Sequence, residues 1–153
     1  MNDSLKLTGT YTLEIKDVNG NTRDISEIKN LVVTAGKGLI TSRLGASGSA
    51  AATYVALGTS STAASAGQTS LVAEITDSGL ERAAATISQA TITTTNDTYQ
   101  AVYTWTASGT KTVEEVGVFN ASSSGTMLSR AVTSTKSVVP GETIVLTYRL
   151  QLT

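Results

Sequence analysis

Histidine and cysteine are both absent from this sequence of 153 residues. Without histidine, Ser-His-Asp and Cys-His catalysis, the common zinc sites and a pH switch near neutrality lack the side chain that they need. Without cysteine, the chain has no disulfide framework, no thiolate nucleophile and no thiolate metal ligand. We therefore expect no enzyme activity, no cofactor and no metal site.

Charged residues are scarce as well, because they make up 15% of the chain against about 25% in an average soluble protein. The 11 Lys and Arg residues nearly balance the 12 Asp and Glu residues, which leaves a formal net charge of -1. Binding to nucleic acid or to an anionic membrane rests on clustered Lys and Arg, so neither partner is expected. The 27 Thr and 18 Ser residues instead predict a polar surface of low charge.

Long apolar runs are also missing. None approaches the roughly 20 residues that a membrane-spanning helix needs. The first residues, Met-Asn-Asp-Ser, lack the basic start and the apolar stretch of a secretory signal. We therefore expect a chain that is made in the cytoplasm and is not exported by the general pathway.

What the sequence does contain is period-two alternation of apolar and polar residues, which predicts half-buried β-strands. The alternation is clear over residues 5–15 and clearest over residues 144–152. Asn19 and Gly20 predict a tight hairpin turn into a returning strand over residues 22–28. Further strands are predicted over residues 54–57, 83–95, 99–105, 110–120 and 127–132, with turns at 96–97, 121–125 and 140–142.

One short helix is predicted among these strands. Thr34 is a suitable N-cap for a helix that runs through Leu44, and Gly45 ends it. Gly36 and Gly38 each weaken such a helix by about 1 kcal/mol relative to Ala. The helix is therefore expected to depend on packing against a sheet.

About eight strands with frequent turn signals predict a mainly β fold, an antiparallel β-sandwich with one short helix. We expect a flexible N-terminal arm over residues 1–4 and a single sandwich domain over residues 5–153. Residues 45–52 and 58–70 consist largely of Gly, Ala, Ser and Thr, which predicts mobile surface loops.

Two patterns imitate ligand-binding motifs. Gly36, Lys37 and Gly38 lack the spacing and the Ser or Thr of a phosphate-binding loop. Asp17, Asn19 and Asn21 alternate as calcium ligands do, but the glycine comes one place early and no Glu follows at the twelfth position. A hairpin turn explains the second pattern fully.

Polar and aromatic candidates also have plainer explanations. Glu114 and Glu115 are adjacent, so on a strand they point to opposite faces and cannot act as a carboxylate pair. Glu81 and Arg82 are expected to form a solvated surface pair. Tyr99, Tyr103 and Trp105 are expected in the core, with a sugar-stacking or partner-binding stripe as the alternative.

Several short segments, in their order along the chain and at their spacing, resemble those of a known group of proteins. They are residues 30–37 (Asn-Leu-Val-Val-Thr-Ala-Gly-Lys), 54–59, 67–71, 81–83, 114–121, 125–131 and 139–150 (Val-Pro-Gly-Glu-Thr-Ile-Val-Leu-Thr-Tyr-Arg-Leu). Together they resemble a group of small structural proteins of tailed bacteriophages, which include decoration or cement proteins and fibre-like modules. The resemblance covers most of the chain and implies a virion component without catalytic residues.

The resemblance makes capsid decoration the first hypothesis, with the protein on the outer surface of the head, bound to the major capsid protein and stabilising the shell by linkage. Such proteins occupy positions of local three-fold symmetry, so a homo-oligomer, and specifically a homotrimer, is expected. The expected contact residues are Met1, Asn2, Asp3, Ser4, Leu5 and Leu7. An exposed edge of the first hairpin is a second candidate contact, by strand addition.

The alternative is a tail fibre or tail-tip module that contacts the host receptor. In that case residues 45–52 and 58–70 are expected at a distal tip, and the partners are tail or fibre proteins. Copy number in the virion distinguishes the two hypotheses. A third class, a polysaccharide depolymerase, is the least favoured.

Overall fold

The computed structural model describes residues 4–153, which form two five-stranded antiparallel sheets packed face to face. The elements in chain order are β1 (Leu7–Lys16), β2 (Thr22–Lys29), β3 (Leu31–Val32), α1 (Thr34–Leu44), β4 (Tyr54–Gly58), β5 (Ala83–Ala84), β6 (Thr86–Ala90), β7 (Thr98–Thr106), β8 (Lys111–Phe119), β9 (Met127–Val138) and β10 (Thr143–Leu152). The first sheet has the order β2-β1-β10-β7-β6 and the second has the order β3-β9-β8-β4-β5. The mainly β sandwich is thus confirmed, with ten strands in place of about eight.

The core lies between the sheets and follows the predicted alternation. Its buried side chains include Tyr11, Leu13, Ile15, Ile144, Leu146 and Tyr148 from the first sheet and Val55, Leu57, Val116 and Val118 from the second. Of the aromatic residues of β7, Trp105 belongs to this core as predicted, whereas Tyr99 and Tyr103 are half-buried and pack against it. Trp105 is buried and donates its indole N–H to the carbonyl of Glu81 at 2.7 Å.

The pairing of β1 with β10 defines the two ends of the sandwich. Leu7 lies opposite Leu152 at one end, and Lys16 lies opposite Thr143 at the other. The first, which we call the terminal end, carries the described starting residues and the last residues of the chain. The second, which we call the hairpin end, carries the turns over residues 17–21 and 139–142.

The single strand predicted over residues 83–95 is wrong. Ala83–Ala84 pairs with β4 in the second sheet, whereas Thr86–Ala90 pairs with β7 in the first. The chain crosses from one sheet to the other at Ala85, and residues 91–97 form a turn. Asp97 holds this turn, because its carboxylate accepts hydrogen bonds from the backbone amides of residues 92, 93 and 94.

The helix has the predicted length but a different start. Val33 occupies the N-cap position without a side-chain cap, and the amide of Thr34 donates to the carbonyl of Ala66 at 2.9 Å. The prediction that Thr34 caps the helix is therefore wrong. Gly36 lies against β9 so closely that a Cβ there would be 2.0 Å from the carbonyl oxygen of Leu128. Packing against the sheet thus stabilises the helix, as expected.

Residues 59–75 cover the outer face of the second sheet. Leu71 packs there with Ala56, Phe119 and Met127. The carbonyl of Thr62 accepts a hydrogen bond from Arg130 at 2.9 Å. The segment is therefore fixed to the sheet, which differs from the mobile loop expected over residues 58–70.

Within residues 4–153, the one helix is too short to cross a lipid bilayer.

Candidate functional site

An apolar groove with a volume of about 380 Å³ opens at the terminal end of the sandwich. Three kinds of element line it: strands of both sheets, helix α1 and the segment before β4. The lining includes Leu7, Tyr99, Leu128, Leu150 and Leu152 from strands, Leu39, Ile40, Arg43 and Leu44 from the helix, and Ala51 and Ala52. The groove thus lies between strands of the two sheets at the terminal end, and helix α1 forms one of its walls.

Exposed apolar side chains surround this groove. Leu44, the last residue of α1, is 80% exposed, and Leu152 is 40% exposed. Leu5, which precedes the groove-lining Leu7 by two residues, is 68% exposed. Large apolar side chains that cluster on a surface mark an interaction site more often than isolated ones do. The groove is therefore the best candidate for a docking site in the described part of the chain.

Arg43 supplies the charge at the groove. Its Nη1 donates to the carbonyl of Ser49 at 2.9 Å. Among residues 4–153, no carboxylate forms an ion pair with it. An occupant that combines an apolar side chain with a carboxylate therefore matches the lining.

Half-buried Tyr99 lines the groove and packs against the buried Tyr148. Tyr99 lies 6.0 Å from Tyr148 between ring centroids, and its hydroxyl donates to the carbonyl of Ala52. The hydroxyl of Tyr148 accepts a hydrogen bond from Asn30 at 3.0 Å. Burial raises the pKa of Tyr148 to about 12 and also raises the pKa of Tyr99. These phenols are neutral at physiological pH, so the site is suited to binding.

The contact residues predicted from the sequence fall at or near this groove where they are described. Leu7 lines it, whereas Ser4 and Leu5 are exposed at the same end. Met1, Asn2 and Asp3 lie outside the described residues. The predicted strand addition to the first hairpin cannot use β1, because β1 is paired on both sides, and the edge strand is β2.

The loops of the fibre hypothesis do not form one tip. Residues 45–52 adjoin the groove through Ala51 and Ala52, while residues 59–70 lie over the outer face of the second sheet. The sequence alone does not indicate the groove, because its lining comes from segments far apart in the chain. Each of its leucines fits an ordinary core position of a strand or a helix.

A second cleft, of about 330 Å³, lies between Arg82 and the turn over residues 121–125. The expected surface pair of Glu81 and Arg82 is wrong, since Arg82 pairs with Glu74 through two hydrogen bonds of 2.8 and 2.6 Å. Its guanidinium carbon lies 3.6 Å from the ring centroid of Phe119. It also donates to the carbonyl of Ser124 at 2.8 Å. These contacts give Arg82 a structural role.

The other chemical candidates are accounted for by the structure. Asp17 accepts the amides of Asn19 and Asn21 at 2.9 Å each, which confirms the hairpin turn in place of a calcium loop. Glu115 is buried, whereas Glu114 meets Thr135 at the surface. No group of three or more acidic, histidine or cysteine side chains within residues 4–153 is placed to hold a metal ion.

Comparison with known proteins identifies a family. The family model described as "Podophage GP4 fiber I protein gp80" matches residues 34–153. No curated protein and no solved structure matches the chain. The matched residues include α1 and all strands from β4 to β10, and thus most of the groove. The match confirms the resemblance to structural proteins of tailed phages and favours the fibre alternative over capsid decoration.

Proposed function

The chain belongs to the podophage GP4 fiber I protein gp80 family and is a structural protein of a tailed-phage virion, and we propose that it serves there as a subunit of a fibre. The family match over residues 34–153 is the observation that carries this proposal. Its partners are then other fibre or tail proteins.

The architecture supports a role in binding. The two sheets share one core of buried apolar residues, which makes a stiff building block. The apolar groove at the terminal end supplies a docking surface on that block. The sequence adds no histidine or cysteine for chemistry. A stiff unit with a docking groove is suited to a fibre, because a fibre must keep its shape while its subunits bind their neighbours.

Copy number tests the fibre assignment. Quantitative mass spectrometry of purified virions would measure this chain relative to the major capsid protein, with a known tail protein as an internal standard. A fibre subunit is expected at a few to a few dozen copies per particle. A count of hundreds of copies, close to that of the major capsid protein, would contradict the proposal and support capsid decoration.

We also propose that the fibre contacts the host receptor. Support comes from the outer face of the first sheet, where exposed hydroxyl groups of Thr8, Thr104 and Thr106 offer hydrogen bonds to a polar surface. Purified protein added before infection is expected to slow phage adsorption in proportion to its concentration. Unchanged adsorption at saturating protein would remove receptor contact from the proposal and leave the structural role in place.

A further inference from the structure

The hairpin end of the sandwich carries a small apolar projection. Val18 is 67% exposed and Val139 is 44% exposed, each on one of the two turns at this end. The turns touch, because a Cβ placed on Gly141 would lie 3.1 Å from a methyl carbon of Val18. We call these two side chains the valine tip.

The valine tip is held in a fixed position. Asp17 accepts the backbone amides of Asn19 and Asn21, and Gly20 supplies the positive φ of 84° that the tight turn requires. On the second turn, Glu142 accepts the amide of Val139 at 3.1 Å. Both valines are therefore presented by hydrogen-bonded turns, and their docking would cost little conformational entropy.

The valine tip and the apolar groove lie at opposite ends of one molecule. Strand β1 connects them, from Leu7 in the groove to Lys16 beside the first turn, and its ten residues span about 30 Å. The tip of a molecule therefore cannot reach the groove of the same molecule. Any contact between the two surfaces joins separate copies.

Charge also matches between the two ends. At the hairpin end, Lys16 pairs with Glu14 and Arg23 pairs with Glu142, whereas Asp17 has no ion-pair partner among residues 4–153. Hydrogen bonds from Asn21 and Asn19 lower the pKa of Asp17, so this carboxylate is ionised at neutral pH. Arg43 is the cation at the groove.

We propose that the valine tip of one copy docks into the apolar groove of the next copy, with Asp17 facing Arg43. Such a contact is heterologous, so each added copy leaves one free tip and one free groove, and growth continues as an open filament. The inference deepens the proposed fibre function, since it names the partner of the groove as a second copy of this chain.

Two variants, each with one of the two docking surfaces altered, test the contact in solution. Val18→Asn removes an apolar side chain from the tip, and Leu44→Asp places a carboxylate at the groove beside the incoming Asp17. Both positions are exposed, so the fold is expected to persist. In sedimentation velocity, the wild type is expected to grow in mass with concentration beyond a dimer. Each variant alone is expected to associate at least about tenfold more weakly.

An equimolar mixture of the two variants is the decisive experiment. Val18→Asn protein keeps an intact groove, and Leu44→Asp protein keeps an intact tip, so an equimolar mixture is expected to form heterodimers and nothing larger. Val72→Asn, at an exposed site in the segment that covers the outer face of the second sheet, is the matched control and is expected to behave as the wild type. A monomeric wild type at all concentrations, or a mixture without heterodimers, would overturn the proposal.

Engineered cysteines identify the surfaces that meet. The natural chain has no cysteine, so a disulfide can form only between introduced residues. Chains with Val18→Cys and chains with Leu44→Cys are expected to cross-link to each other on mild oxidation, more than either does with Val72→Cys. Preferential cross-linking between two Leu44→Cys chains would instead indicate a symmetric, closed dimer and would overturn the proposal. Loss of all association on deletion of residues 1–3, with Val18 and Val139 intact, would overturn the valine tip as the occupant of the groove.

These measurements use purified protein and do not depend on where the chain sits in the virion. The copy-number and receptor-competition experiments can therefore contradict the proposed function while head-to-tail association is still observed. The opposite combination of results can also occur. The two proposals are thus separable.

Discussion

The side chains of Arg130 and Glu115 form an ion pair from which solvent is fully excluded, with 2.7 Å between Nη2 and Oε2. The pair lies on the outer face of the second sheet, beneath residues 59–75. Glu115 also accepts the backbone amides of Val72 and Ala73 at 3.1 and 2.7 Å. One ion pair therefore attaches a long, polar, low-complexity segment to the sheet.

Removing one partner of this pair is expected to be costly. Arg130→Met leaves the Glu115 carboxylate buried without its cation, and the expected loss is about 3–5 kcal/mol in the free energy of unfolding. Chemical denaturation measures it. Limited proteolysis should also cut the variant within residues 59–75, which the wild type protects.

The double variant Glu115→Leu with Arg130→Met is the matched control, because it removes both charges together. It is expected to recover part of the stability that the single change loses, since no unpaired charge remains buried. Equal destabilisation by the single and the double variant would show that the charges do not act as a pair.

The two glycines of α1 are expected to respond in opposite directions to alanine. Gly36→Ala places a Cβ 2.0 Å from the carbonyl oxygen of Leu128, and the forced shift should cost about 1–3 kcal/mol. Gly38 faces open space, so Gly38→Ala should stabilise the protein by about 0.5–1 kcal/mol. Thermal unfolding of both variants tests the packing of the helix, and a stable Gly36→Ala variant would contradict it.

Alkaline pH is expected to unfold the protein through its buried tyrosines. Burial raises the pKa of Tyr148 from 10.0 to about 12 and also raises the pKa of Tyr11. A raised folded-state pKa gives stability that is complete below the unfolded value of 10.0 and is lost as pH rises through the folded value. Denaturant midpoints should therefore fall between pH 10 and about 12. Ionisation of Tyr148 in the still-folded protein near pH 10, followed by residue-specific NMR, would contradict this mechanism.

Acid is expected to weaken the turn between β6 and β7. Hydrogen bonds from Thr93, Thr94 and Ile92 hold the pKa of Asp97 well below its usual range. A depressed carboxyl pKa gives stability that is present above the unfolded value of about 3.9 and is lost as pH falls. Asp97→Asn should thus be less stable than the wild type at neutral pH, and the two thermal unfolding curves should converge in acid. A constant difference at every pH would contradict this role.

The strands that could be predicted from the sequence are those that bury one face in the core and expose the other. Strands β1 and β10 alternate cleanly because they are central strands with one face in the core. The single strand predicted over residues 83–95 is wrong because the chain changes sheets at Ala85. A change of partner sheet leaves no periodic signal in the sequence. Helix α1 was predictable in length, but its start depends on Ala66, which lies far along the chain.

The candidate site was less predictable than the fold. Leu5 and Leu7 were expected as contact residues, and both lie at the terminal end. Leu44 and Leu152 gave no sign of exposure, because an apolar residue at the end of a helix or a strand usually packs inward. The sequence indicates Glu115 only as half of an adjacent pair with Glu114, because the segment that buries it is too low in complexity to predict that it covers the sheet.

Gold labelling of virions tests the central claim most directly. The claim is that this phage virion protein is a fibre subunit. An affinity tag on the exposed turn over residues 121–125, detected by antibody–gold in electron microscopy of intact particles, would show its position, with an untagged phage as the control. The account predicts gold along fibres. Gold distributed evenly over the head surface, with none on fibres, would contradict it.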